Sequence, residues 1–199
     1  NVDFFLEIVN AFLYKNYFPD KHLQSFTLSE IIDYLKKTHE YFIKYKLVQL
    51  EELIEKLVIN CNKQNKEKFI LVEKFYKEYK KEFIEHISNE DSIIYPYVIE
   101  IEKVFSNKSF TEKFKKYYSE FSIKKYETEH SDVEEKLFDL KNLIIKYLPP
   151  SSDNNLSNLI LYELFELEKD LNDHQQIEDK VLIPKVIAIE ESLKQSGII

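Results

Sequence analysis

Gly197 is the only glycine among the 199 residues, and it stands two places from the last one. Two-residue hairpins and most tight turns need residues that tolerate positive φ, a role glycine fills best. A chain this poor in glycine has little with which to fold back many short strands. Its long stretches are instead rich in Leu, Ile, Glu and Lys, which lose little in a helix. An all-α fold follows, and an apolar content of 44% over this length is enough for one domain with a sizeable core.

Helical spacing can be followed along the chain. Phe4, Ile8, Phe12 and neighbours over residues 3–17 predict a short first helix that stops near Pro19 and packs across the bundle. Thr27-Leu-Ser-Glu30 reads as a capping box, so a long helix starts there and runs to about Cys61. A second runs from about Lys66 to Val104, with a kink expected where Pro96 removes the bond to Ser92. Residues 110–121, aromatic and Lys-rich, read as a short connecting helix or the start of the next, and a third bundle helix runs from about Ile123. The turn-rich run Pro149–Asn155 ends it, and a fourth helix spans about Leu156 to Ser196. The domain reading is residues 1–26 as N-terminal helix and linker, and 27–199 as an antiparallel four-helix bundle.

One eleven-residue pattern occurs twice, from His86 to Pro96 and from His174 to Pro184. Each copy has Glu four residues after His (Glu90, Glu178), then Asp, then an aliphatic pair, then the proline. Residues four apart share a helix face, so each copy aims an imidazole and a carboxylate at one place. Each of the other two long helices carries a single histidine, His39 or His130. His39 precedes His86 by 47 residues and His130 precedes His174 by 44, one helical hairpin in each case. Two hairpins of one plan can close around a shared centre in a four-helix bundle.

Four imidazoles and two carboxylates exceed the four ligands that zinc ordinarily takes. They suit two iron or manganese ions joined by bridging carboxylates. An isolated histidine is ordinarily a surface or core residue; the doubled pattern with its matching partners is what argues for a metal. Two rival helical plans are missing. A carboxylate-type site needs a second Glu-x-x-His besides Glu127–His130, and Phe83 and Leu171 occupy that offset before His86 and His174. His39-Glu40 is not followed by the second histidine of a zincin motif. His22 lies in a polar segment without ligand-spaced company and reads as a surface residue.

The net charge is −8 and every basic residue is lysine. Lacking the arginine fork and carrying an acidic balance, the chain is not expected to bind nucleic acid. Cys61 is alone, which excludes an intramolecular disulfide and suits a reducing cytoplasmic setting. No apolar run reaches the roughly 20 residues of a membrane span, and no signal peptide is evident at residue 1.

Residues about 28–190 resemble the hemerythrin-like, or HHE cation-binding, domain. Within it they are similar to the RIC family of di-iron proteins that repair iron–sulfur clusters. The motifs that carry the resemblance are Ile31–His39, His86-x3-Glu90, Glu129-His130, and His174-x3-Glu178 with the aliphatics and Pro184 that follow. The resemblance implies an oxo- or hydroxo-bridged non-haem di-iron centre held by His39, His86, Glu90, His130, His174 and Glu178, with manganese or zinc as substitutes. Glu90 and Glu178 would bridge, His39 and His86 would cap one iron, and His130 and His174 the other. Glu82, Glu129 and Glu134 are candidates for the surrounding shell; Glu134 stands where oxygen carriers of the wider family resemble one another in having a fifth histidine. The implied role is defence against nitric oxide, oxygen or peroxide and restoration of damaged iron–sulfur proteins, with sensing of those small ligands as the alternative. RIC proteins often carry an N-terminal cysteine-bearing domain, for which this sequence has no paired cysteines.

Overall fold

The structure, a computed structural model, describes residues 1–14, 16–61, 66–109, 112, 114, 116, 123, 132–147 and 154–196. Outside them lie the expected turn at 62–65, most of the aromatic stretch 110–121, the start of the third long helix through His130, and the loop at 148–153. Every element among the described residues is helical and none is a strand, so the fold is all-α as expected.

The first helix, α1 (Val2–Leu13), is capped by Asn1, whose side chain accepts from the Asp3 and Phe4 amides. A single turn, α2 (Asp20–Leu23), follows Pro19. Then comes α3 (Leu28–Tyr41), and the predicted capping box is present at its start. Thr27 N–H donates to Glu30 Oε2 at 2.9 Å and Glu30 N–H donates to Thr27 Oγ1 at 3.2 Å. A second acid serves the same helix end. Glu102 Oε1 accepts from Leu28 N–H at 2.6 Å, and its Oε2 accepts from Ser29 N–H at 3.2 Å and Ser29 Oγ at 2.7 Å. Carboxylates there satisfy amides that have no intrahelical partner and face the positive end of the helix dipole.

Beyond α3 the backbone widens into a π-helical segment, Phe42–Lys46, before α4 (Leu47–Asn60). The same happens twice more. The helix α5 (Lys66–Asn89) passes through the π segment Glu90–Ile94 into α6 (Tyr95–Asn107), which ends at Lys108 with a left-handed φ of 49°. After α7 (Asp132–Tyr147), α8 (Asn154–Ile177) passes through the π segment Glu178–Leu182 into α9 (Ile183–Gln195). In each segment an amide reaches back five residues: Leu47 to Phe42, Tyr95 to Glu90, Ile183 to Glu178. Pro96 and Pro184 sit in the first turn of the helix that follows, where a missing N–H costs least. Where a bend was expected from Pro96, the structure has an extra-residue turn that begins on Glu90 itself.

Packing divides the chain into two compact units, residues 1–37, 89–130 and 173–199 in one and 38–88 and 131–172 in the other. The core of the first joins Phe4 and Ile8 of α1 and Leu23 of α2 to Leu28, Ile31 and Leu35 of α3, with Tyr95, Val98 and Ile101 of α6 and Ile183, Val186 and Ile189 of α9. The core of the second joins Leu50, Ile54 and Leu57 of α4 to Tyr76, Tyr79 and Phe83 of α5, with Leu140 and Ile144 of α7 and Ile160, Leu164 and Leu167 of α8. At roughly 1.5–3 kcal/mol for each fully buried side chain, these sets supply the main folding drive. Within the first unit Gln24 Nε2 donates to the Lys180 carbonyl at 2.7 Å, and Lys185 Nζ donates to the carbonyls of Gln24, at 2.8 Å, and Phe26.

Candidate metal centre

Each of the two repeats delivers its Glu at the first residue of a π segment, directly after the helix that carries its His. On α8 and the segment after it, His174 and Glu178 lie one turn apart, with Nε2 3.6 Å from Glu178 Oε2. Both side chains are buried, His174 at 7% exposure and Glu178 at 1%. Glu90, at 1%, and His39 of α3, at 2%, are buried as well. One ligand atom from each of His39, Glu90, His174 and Glu178 lies within 4.8 Å of all the others.

Such a group fits a cation. Two carboxylates that share a site repel one another, and burial removes the water that would screen them. A positive ion between them turns that repulsion into attraction, and imidazole with carboxylate is a donor set that iron, manganese and zinc all accept. Next to Glu90, His174 and Glu178 in the chain, Ile94, Ile177, Val181 and Leu182 are all buried in the core of the first unit.

The remaining sequence candidates are not among the four converging residues. His86 is half-buried on α5 and is not one of the four converging residues. His130 and Glu129 lie outside the described residues, as does the side chain of Glu134, whose backbone belongs to α7. The Glu82 carboxylate forms an ion pair with Lys136. His22 is exposed, in α2 rather than a loop, with Nδ1 3.5 Å from Glu7 Oε1.

One residue at the site has no counterpart in the sequence reading. Tyr95, fully buried at the start of α6, donates its phenolic hydrogen to Glu178 Oε1 at 2.7 Å. The bond spans 83 positions of sequence, and nothing distinguishes Tyr95 from the thirteen other tyrosines until the fold brings it to Glu178.

Among known proteins, the chain is 23% identical over 155 residues to the iron–sulfur cluster repair protein ScdA of Staphylococcus haemolyticus, an alignment covering 78% of this chain and 65% of that relative. The chain therefore spans about two thirds of that protein's length. No solved structure matches. No described helix is long and apolar enough to cross a membrane. Residues 30–186 match the Hemerythrin HHE cation binding domain, which takes in the whole converging group. With that match covering most of its length, the chain belongs to the hemerythrin HHE family of cation-binding helical proteins.

Proposed function

We propose that this protein holds a non-haem di-iron centre and uses it in the restoration of damaged iron–sulfur clusters or the handling of nitric oxide or peroxide, in a reducing cytoplasmic setting. The observation that carries the reading is the convergence of His39, Glu90, His174 and Glu178 within 4.8 Å in a buried position. The likeness to an iron–sulfur cluster repair protein supports the direction of the chemistry.

In this reading His86 and His130 complete the donor set as terminal imidazoles, and manganese or zinc can take the place of iron. Iron, when bound, supplies redox change and a place for a small ligand. The protein's own part is fourfold. The two buried carboxylates bring negative charge that offsets the cations. The imidazoles act as donors to the metal, and those of His39, His86 and His174 are carried on the helices α3, α5 and α8 rather than on loops. Burial of the four converging groups keeps bulk water from them. Tyr95 keeps its proton on Oη, shared with Glu178 Oε1.

The test is metal analysis after anaerobic loading, followed by a repair assay. About two iron ions per chain and faster recovery of a nitric-oxide-damaged [4Fe–4S] protein are expected, and both should be lost in a His86→Ala/His174→Ala variant. Less than one ion per chain overturns the reading. Binding of nitric oxide with neither turnover nor repair replaces it with a sensing role.

A further inference from the structure

The two repeats that deliver Glu90 and Glu178 are not chemically equivalent. They match at His, Glu, Asp and Pro, but the ninth residue after His is Tyr95 in the first and Ile183 in the second. Tyr95 reaches across to the glutamate of the other copy and donates to its Oε1 at 2.7 Å. The second oxygen, Oε2, is the one that faces His174 Nε2, at 3.6 Å. One oxygen of Glu178 is thus engaged by a phenol while the other faces an imidazole of the converging group. The side chain of Ile183, buried at the equivalent place, carries no donor.

The geometry points to Tyr95 as a positioning residue that fixes the Glu178 carboxylate and makes Oε2 its stronger donor to the metal on the His174 side. This rests on the proposed metal-binding function. A neutral donor on Oε1 withdraws charge from that oxygen and locks the side-chain rotamer, so the carboxylate binds unsymmetrically. An ion on the His174 side of such a carboxylate is held more tightly for the Tyr95 bond. Groups that orient a ligand in this way typically change metal affinity 10–100-fold when removed.

The experiment titrates cobalt(II) into the apoprotein, following visible d–d absorption and heat. Wild type should bind in two resolved steps. Tyr95→Phe, which keeps the ring, should weaken one step by about tenfold or more, leave the other within about twofold, and shift the d–d bands of the affected ion. Tyr97→Phe is the control, because it deletes a similar buried bond, Tyr97 Oη to Glu190 Oε1 at 2.6 Å, whose acceptor is not one of the four converging residues. It should leave both steps and both spectra unchanged.

A 3-fluorotyrosine label provides a readout that needs no variant to fold: the ¹⁹F resonance of Tyr95 should move as cobalt is added. Identical binding steps and spectra in wild type and Tyr95→Phe, equal losses in Tyr95→Phe and Tyr97→Phe, or a stationary Tyr95 resonance in a protein that binds cobalt overturns the assignment of Tyr95 alone. Wild type that binds no cobalt overturns the metal-binding reading and this inference with it.

Discussion

Glu90 and Glu178 each open a five-residue π-helical segment, and each segment ends one residue before the first turn of a helix containing a proline. A π turn carries one residue more than an α turn, so it resets the facing of everything that follows it. Here it allows Glu90 to be buried while Ile94, Tyr95 and Val98 also meet the core of their unit. Removing the extra residue should break that agreement. Deleting Ser92 is expected to rotate Glu90 by about 100° against Ile94, Tyr95 and Val98. A loss of about 3 kcal/mol or more in urea unfolding should follow, with far-UV helicity largely kept. The substitution Ser92→Ala, which leaves the backbone count alone, should cost far less.

The paired burial of Glu90 and Glu178 predicts opposite effects with and without metal. Neutralising one carboxylate in Glu90→Gln should raise the melting temperature of metal-free protein, since it relieves repulsion between buried like charges. The same change should reduce the stabilisation gained on adding metal. Wild type should gain about 2.7 kcal/mol when free metal stands at a hundred times its dissociation constant, and should lose it on chelation. Thermal melts of both proteins with and without iron(II) or manganese(II), under anaerobic conditions, test both signs.

At the start of α3 the capping box leads to a pH dependence. The Asn1 side-chain amide, followed by the Thr27 amide and hydroxyl, holds the Glu30 carboxyl below its usual value of 4.5. A carboxyl with a lowered folded pKa stabilises the fold fully above its unfolded value, and the contribution fades as pH falls through the folded one. Glu30→Gln should therefore flatten the acid limb of stability measured from about pH 6 down to about pH 3. Thr27→Ala should cost about 1 kcal/mol at neutral pH.

In the second unit, Lys141 is buried with its ammonium 4.7 Å from the centre of the Phe165 ring and in an ion pair with Glu168. Replacing both charges by apolar groups of similar shape is often neutral or better, whereas removing one partner strands the other. Glu168→Leu should destabilise by about 2 kcal/mol, and the double variant Lys141→Met/Glu168→Leu should recover most of that. Denaturant unfolding of the two variants and of Lys141→Met closes the cycle.

Much of this was legible in the residues and some was not, for physical reasons. The scarcity of glycine, one residue in the whole chain, dictated helices, and Thr27-x-x-Glu30 marked the start of α3 because capping is local chemistry. The His-x3-Glu repeats brought His174 and Glu178 together by helix pitch alone. The π segments left no such trace. Their aliphatic pairs, Ile93-Ile94 and Val181-Leu182, suit an ordinary helix equally well, and the prolines after them read as simple kinks. The division of the core into two clusters and the bond from Tyr95 to Glu178 depend on contacts distant in sequence. So does the second cap from Glu102, 74 positions from Leu28.

The bonds that Gln24 and Lys185 make have a practical consequence. Lys180 lies within the π segment that Glu178 opens, and its carbonyl is held by Gln24, whose own carbonyl is held by Lys185 of α9. Gln24, ahead of Thr27, is therefore tied to the main chain beside Glu178. A cut, a bulky tag or a fusion placed there acts through Gln24 on the main chain two residues from Glu178. Protein engineered at that end should be judged by its metal content before its activity is compared with anything else.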